Sequence, residues 1–575
     1  MDLSPAKLKD LLVTPGHITP ADFETAVGES EQTRHSLWAV LVDRDLIRDG
    51  ELAQLVAEAY NLKWLDLRRV EIKPQILSLV PELVARKRGV IAVARTTGGI
   101  KVGMTDPFDL ATIHFLEKRL GDKIIPFLIT ARDLEEALTQ YRGSLKQEFE
   151  ATLARLRESD RSKDDRNNDT IKLVDLLLVY GHQNKASDIH IEPYRQKVLV
   201  RFRIDGVMHD VLELPKDLSE VILTRLKILA KMRTDEHRAA QDGKLQFMAQ
   251  NEQVDVRVSI LPVTEGENAV LRLLSEQSRK FSLTDLGLSP IDLATVKRAI
   301  DNPHGMILVT GPTGSGKTTT VYAVMKILNT RDVHIATIED PVEYDIEGIS
   351  QIQVNPKANL SFANGLRSIV RQDPDIIVVG EIRDEETASI AVNSAMTGHL
   401  VLSTLHANDA ATTLPRLLEM GIEPFLVAST VNAVIAQRLV RKVCDRCRVS
   451  APPTDEMKKV IAREPELKAL FKQRGYGTLS KLAFYRGQGC ELCSHTGYQG
   501  RIGIFEVLEM SDEVKSLVVA RAASGEIMKI AHLPRRSEAK AGAGKTPMTT
   551  MLEDGLDKVL SGLTTLDEVL RVTKI

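Results

Sequence analysis

Met306-Ile-Leu-Val-Thr310 runs straight into Gly311-Pro-Thr-Gly-Ser-Gly316-Lys317-Thr318. The first stretch reads as a short buried strand, and the second fits G-x-x-x-x-G-K-[ST] at every fixed position. Thr319-Thr-Val-Tyr-Ala-Val-Met-Lys-Ile-Leu328 then reads as a helix. In that order the glycines let backbone N–H groups turn inward around phosphate oxygens, and the helix N-terminus adds a favourable dipole. The expected nucleotide-binding set is Gly311, Thr313, Gly314, Ser315, Gly316, Lys317, Thr318 and Thr319. Lys317 would reach the β- and γ-phosphates, and Thr318 would offer its hydroxyl to Mg²⁺. A second GKT, at Gly544-Lys545-Thr546, has Ala539 in place of the first glycine and no apolar strand before it, so it reads as a loop.

The acids that a phosphoryl-transfer site needs lie downstream. Ile338-Glu339-Asp340-Pro341-Val342-Glu343 follows the apolar Val333-His-Ile-Ala-Thr337, placing carboxylates at a strand's C-terminal end, where α/β sites lie. Asp375-Ile-Ile-Val-Val379 is a second buried strand; Gly380 stands where a Walker B aspartate usually closes it, and Glu381 follows. Leu400-Val-Leu-Ser-Thr404-Leu405 ends on His406. Any one of these residues alone reads equally well as a strand-end cap or a surface ion pair. Three apolar strands, each ending in a polar functional group after one phosphate loop, point instead to a catalytic set.

Four stretches in order carry a resemblance: Gly311–Thr318, Thr337–Glu343, Arg371–Asp384 and Thr397–Asn408. They resemble the signature boxes of the type II secretion and type IV pilus ATPases, over about residues 170–510. The four cysteines and the long N-terminal region make the chain similar to the extension-type members (PilB and GspE) rather than to the retraction type. The resemblance implies a hexameric RecA-like motor that hydrolyses ATP with Mg²⁺. It places Glu339 in an aspartate box, makes Glu381 the Walker B acid and sets His406 against the γ-phosphate region. One carboxylate must orient or deprotonate the attacking water and another must hold the hydrated Mg²⁺, while cations neutralise charge on the transferring phosphoryl. Glu339 is favoured as the base and Glu381 as the Mg²⁺-side acid, the reverse being the alternative. Arg201 and Arg203 match arginines that in this family point from the second N-terminal domain towards nucleotide. Strand-surface arginines are the plain alternative, and alternation puts both on one face in either case.

Cys444-Asp-Arg-Cys447 and Cys490-Glu-Leu-Cys493 are two C-x-x-C pairs separated by 42 residues. Each pair can present two thiolates to one metal, and together they complete the Cys₄ set of structural Zn²⁺. The long intervening loop costs little, because closure entropy grows only logarithmically. Free reactive thiols or a redox dithiol are the other readings. Extension-type members of the family carry such a zinc site, here expected to staple the Pro452–Arg486 insertion to the motor.

Further out, Thr170 to Asn184 reads as an amphipathic helix. Ser187–Ile191, Val198–Ile204, Val254–Ile260 and Ala269–Leu274 alternate like strands, and Asp205-Gly206 signals a hairpin. Glu158 to Asp169 has eight charged residues in twelve and none apolar, which predicts a mobile linker; a solvated helix is the alternative. Before it, Leu12-Val13, Ile18, Phe23 and Val27 recur 29 residues later as Leu41-Val42, Ile47, Leu52 and Val56, two helix–turn–helix units able to pack on each other. Gly89–Ala94 and Gly99–Met104 follow as strands. This repeated unit resembles a module that binds cyclic di-GMP in some pilus ATPases. Its Arg-Leu-Gly is replaced here by Lys7-Leu8-Lys9 and Ser36-Leu37-Trp38, with Ser30 and Ala59 at the expected glutamines, so cyclic di-GMP binding is not expected.

The expected class is α/β: a RecA-like P-loop domain preceded by a PAS-like α+β domain and an N-terminal helical/α+β module. The expected divisions are 1–145, a linker at 146–169, 170–280, the motor at 281–440, a tetracysteine zinc subdomain at 441–500 and C-terminal helices at 501–575. His532 to Pro547 reads as an inserted surface loop. The 575 residues carry 76 Lys+Arg against 79 Asp+Glu, a net charge of −3, and only 4% are aromatic. That balance excludes a generally polybasic nucleic-acid binder, so no nucleic-acid partner is expected. No apolar run approaches the roughly 18 residues of a membrane span, and the N-terminus does not read as a secretory signal. The chain is therefore expected to be cytoplasmic, and the resemblance implies a homohexamer held at the inner face of the membrane through a platform protein and a cytoplasmic adaptor.

Overall fold

The 29-residue repeat becomes four helices, Pro5–Leu12, Pro20–Thr33, Leu37–Asp43 and Asp49–Ala59. Leu12, Ile18 and Phe23 of the first copy and Leu41, Val42, Ile47, Leu52 and Val56 of the second share one apolar core, as the pairing of the copies predicts. The computed structural model describes residues 4–33, 36–44, 46–67, 70, 72–157, 163–249, 252–274, 282–474, 484–532 and 547–573. It divides into two compact units, Met1–Leu273 with Gly489–His495, and Leu274–Gln488 with Thr496–Ile575.

In the first unit, β1 (Val90–Thr96) and β2 (Gly99–Met104) are the two expected strands. A third, β3 (Ile124–Leu128), lies parallel to β2. Between them runs the helix Leu110–Leu120, capped by Asp109, which accepts from the Thr112 N–H at 3.0 Å. Six antiparallel strands follow: β4 (Ala186–Pro193), β5 (Lys197–Ile204), β6 (Val207–Pro215), β7 (Gln241–Ala249), β8 (Glu252–Val263) and β9 (Gly266–Leu274), in the order β6-β5-β4-β9-β8-β7. Asp205 and Gly206 join β5 to β6 with φ of 50° and 86°, the left-handed pair that a two-residue hairpin demands.

The segment expected as a mobile linker at 146–169 is largely helical. One helix spans Ala131–Arg157 and the next Lys163–Gln183; residues 158–162 lie outside the described residues. Phe149 and Leu156 are buried in the core that also holds Leu173, Val174 and Leu177, while Leu153 packs against it. An Arg155–Asp169 ion pair at 3.1 Å crosses between the two helices. Charge density in the sequence concealed a sparse apolar stripe that finds its partner on a helix beyond the charged run.

The second unit is built on a seven-stranded sheet: β10 (Gly305–Thr310), β11 (Ile335–Glu339), β12 (Ile349–Gln353), β13 (Ile376–Val379), β14 (Leu400–Leu405) and β15 (Val431–Val443), with β16 (Arg448–Ala451) and β17 (Phe484–Gly487) forming a separate two-stranded antiparallel sheet before β18 (Tyr498–Glu509) completes it. The order is β12-β11-β13-β14-β10-β15-β18, parallel except for the antiparallel β15–β18 pair. Helices cover both faces, with apolar clusters on either side of the sheet. Residues 501–575 are therefore not all helical: β18 is the edge strand of the motor sheet, and the helices begin at Asp512. The ends of the His532–Pro547 interruption meet, with the Met548 N–H donating to the Ala531 carbonyl at 3.0 Å; residues 533–546, including the second GKT, lie outside the described residues.

Candidate nucleotide site and tetracysteine cluster

Parallel register brings the sequence-predicted groups side by side. Thr310, the last residue of β10, pairs with Leu405 of β14, Val379 of β13 pairs with Ser403, and Ile338 of β11 pairs with Val379. The glycine loop, Glu339, Glu381 and His406 therefore all emerge at the C-terminal edge of one sheet. In the loop, Gly311, Gly314 and Gly316 have φ of 148°, 78° and 92°, and a Cβ on Gly311 would sit 2.5 Å from the Gln437 carbonyl oxygen. Lys317 opens the helix Lys317–Leu328 and donates across the loop to the carbonyls of Gly311 (2.8 Å) and Pro312 (3.2 Å). Burial pulls its ammonium below the ordinary lysine range, opposed by the Glu381 carboxylate. Thr313 and Gly314 are exposed, as is Thr318 in the first helical turn, while Ser315 is buried and Thr319 half-buried.

The two expected acids sit in different surroundings. Glu339 is 4% exposed, and both carboxylate oxygens are engaged: Thr337 Oγ1 (2.6 Å) and Gln351 Nε2 (3.2 Å) donate to Oε1, and the buried Tyr322 hydroxyl donates to Oε2. Three donors fill three of the roughly four lone-pair positions of this nearly enclosed carboxylate, which suits an organising acid better than the water-activating base expected of it. Glu381 is more open. Arg383 donates to its Oε1, and His406 Nε2 stands 3.5 Å from its Oε2. Gly380 fits its place because β13 ends hard against β11: a Cβ there would lie 3.2 Å from the Glu339 Cα and 3.2 Å from the Ile338 carbonyl oxygen.

A family model for type II/IV secretion system proteins matches residues 163–571. The chain belongs to that family. A second model, the MshEN domain, matches residues 60–148. Among relatives, the type IV pilus assembly ATPase PilB of Myxococcus xanthus is 38% identical over 578 residues, covering 98% of each chain. The type II secretion system protein E of Xanthomonas campestris is 39% identical over 551 residues, covering 94% of this chain and 93% of its own. The Legionella pneumophila ATPase DotB shares the fold, at a TM-score of 0.50 and 20% identity over 70% of this chain and 95% of that one. With the glycine loop and strand-end groups in place, this secretion-family chain is an ATP hydrolase, and ATP with Mg²⁺ is the cofactor pair its family implies.

The four cysteines of this family member converge: one sulfur from each of Cys444, Cys447, Cys490 and Cys493 lies within 4.8 Å of every other. None is in a disulfide. The Cys490 and Cys493 sulfurs are 3.7 Å apart, close to the ~3.8 Å expected of two thiolates on one tetrahedral zinc at Zn–S of about 2.3 Å. The donor set and its geometry are compatible with Zn²⁺.

Arg201 and Arg203 do share one face of β5, but each is locally engaged. Arg201 donates to Glu192 Oε1 (3.2 Å from Nε), and Arg203 lies 3.6 Å from Asp188. Arg272 on β9 escaped the sequence reading; its Nε donates to the same Asp188 at 2.9 Å, so a buried carboxylate holds two arginines from flanking strands. The signal was available in Ala269–Leu274, where Arg272 interrupts an apolar run. Glu343, within the Thr337–Glu343 stretch, has no role of its own in the sequence pattern. It is half-buried, and its N–H donates at 3.3 Å to the Tyr322 hydroxyl that holds Glu339. Among the described residues no helix is long and apolar enough to cross a membrane.

Proposed function

We propose that this chain is the ATP-driven motor that extends a type IV pilus, working as a homohexamer at the inner face of the cytoplasmic membrane through a platform protein and a cytoplasmic adaptor. The observation that supports it most is similarity along almost the whole chain to a pilus assembly ATPase, 38% over 98% of both, joined to a glycine loop flanked by three strand-end functional groups. Type II secretion is the second reading, favoured by the 39% identity to a secretion protein E; assembly of a DNA-uptake pseudopilus belongs to the same class. A disruption strain that loses surface pili but still secretes its exoenzymes supports extension, and the opposite phenotype supports secretion.

In this reading Gly311–Thr319 hold the triphosphate, Lys317 neutralises its β- and γ-oxygens, and Thr318 with Glu381 would hold the Mg²⁺, which supplies charge neutralisation when bound. His406, 53% exposed beside Glu381, faces the γ-phosphate region. Glu339 fixes the end of β11, so deprotonation of the attacking water falls to Glu343 while Glu381 stays on the Mg²⁺ side, or, with the roles exchanged, to Glu381. Arg201 and Arg203 supply cationic charge to the transferring phosphoryl once their local partners yield. Cys444, Cys447, Cys490 and Cys493 bind one Zn²⁺ with a structural role. Lys317→Ala is expected to abolish steady-state ATP hydrolysis; normal turnover by that variant would overturn the site.

A further inference from the structure

Gln437 lies mid-way along β15, next to the strand that feeds the glycine loop, and is 1% exposed. Both ends of its amide are spent on that loop and the helix after it. Nε2 donates to the Ser315 carbonyl at 2.7 Å, and Oε1 accepts from Thr320 Oγ1 at 2.7 Å. A Cβ on Gly316 would come within 3.0 Å of Gln437 Nε2, so the loop is pressed onto this side chain. Ser315 C=O and Gly316 N–H belong to one peptide unit, and in a trans peptide they point in opposite directions. Tying the carbonyl to β15 therefore turns the Gly316 N–H away from the strand, into the cradle.

We infer that Gln437 is a positioning residue for ATP binding, which fixes the Ser315–Gly316 peptide so that its N–H serves the phosphate. This rests on the glycine loop being the nucleotide site. Only an amide does the work. A carboxylate can accept from Thr320 but cannot donate to Ser315, and it would add negative charge beside the phosphates; an apolar side chain leaves the Ser315 carbonyl and the Thr320 hydroxyl buried without their partner. The cradle grips phosphates common to ADP and ATP, so the effect falls on both nucleotides rather than on the chemical step alone.

The full-length protein is titrated with ADP and with ATP by calorimetry, alongside steady-state kinetics. Gln437→Glu is expected to weaken ADP and ATP binding tenfold or more and to raise KM by a similar factor. Val440→Ala, a cavity on the same strand away from the loop, should lower the melting midpoint while leaving ADP affinity within twofold of the parent; this separates positioning from plain stability. Should Gln437→Glu fail to fold, Gln437→Asn, which keeps the amide but shortens its reach, carries the same expectation. ADP affinity within twofold of the parent in the folded variant overturns the inference. Lys317→Ala run in parallel tells the two readings apart: if it turns over ATP normally the nucleotide site itself is wrong, whereas if it is dead while Gln437→Glu binds and turns over normally, only the role of Gln437 fails.

Discussion

Glu506 shows how one residue can carry a cost that its strand conceals. It sits inside β18 with Phe505 and Val507 on either side, and its Oε1 accepts from the Ala410 N–H at 2.9 Å, at the start of the helix that follows the His406 loop. Burial pushes its carboxyl up to about 7. The unfolded chain gives up this proton near the ordinary glutamate value, the folded chain only near 7. Between those values the unfolded state holds fewer protons, and stability falls as pH rises. Asp292, raised by burial to about 6, acts in the same direction. Glu506→Gln keeps an oxygen for Ala410 and removes the titration, so it should flatten the decline between pH 5 and 8 and gain up to roughly 3 kcal/mol at pH 8. Thermal melts at both pH values check this, and an unchanged slope would refute it. Glu339 offers a second residue-scale test. Glu339→Gln should cost stability more than turnover, whereas Glu381→Gln or Glu343→Gln, whichever is the base, should lower kcat about 10²-fold or more.

Among the elements, the helices Ala131–Arg157 and Lys163–Gln183 separate pattern from partner. The sequence between them is rich in charge, and Phe149, Leu153 and Leu156 look too sparse to anchor a helix until Leu173, Val174 and Leu177 are seen to receive them. Phe149→Ala is expected to destabilise the first unit by about 3–4 kcal/mol and to speed proteolysis within the helix Ala131–Arg157; a solvated linker would tolerate the change without either effect. Strands β15 and β18 escaped the sequence reading for the opposite reason. Val431–Val443 is buried along most of its length, but its apolar run is broken in sequence by Gln437 and Arg438, and Tyr498–Glu509 carries Glu506 within its buried stretch. Polar residues within an apolar run read as loops, whereas here each is buried against a specific group on another element. The P-loop strand, β11, β13 and β14 were legible because they are short, continuous and apolar, as strands covered on both faces are.

At the scale of the whole chain, the tetracysteine cluster lies at the root of the insertion that carries the helices Asp455–Arg463 and Pro465–Gln473. Its metal should be structural: zinc analysis is expected to find one ion per chain, and a strong chelator or Cys447→Ser should lower the melting midpoint by about 5 °C. Metal-free protein that melts unchanged would remove that role. By itself the sequence determined the phosphate loop, the three strand-end groups, the paired cysteines, the N-terminal repeat and the Asp205-Gly206 turn. All of these are fixed by spacing and backbone preference over a few residues, so they are written locally. The tertiary structure alone decided that Glu339 is enclosed, that Asp188 holds both Arg203 and Arg272, that the 146–169 segment is mostly helix, and that Gln437 reaches the Ser315 carbonyl across 122 residues of chain. Those facts depend on which buried polar group finds which partner, and strand order and register settle that between residues that are distant in sequence.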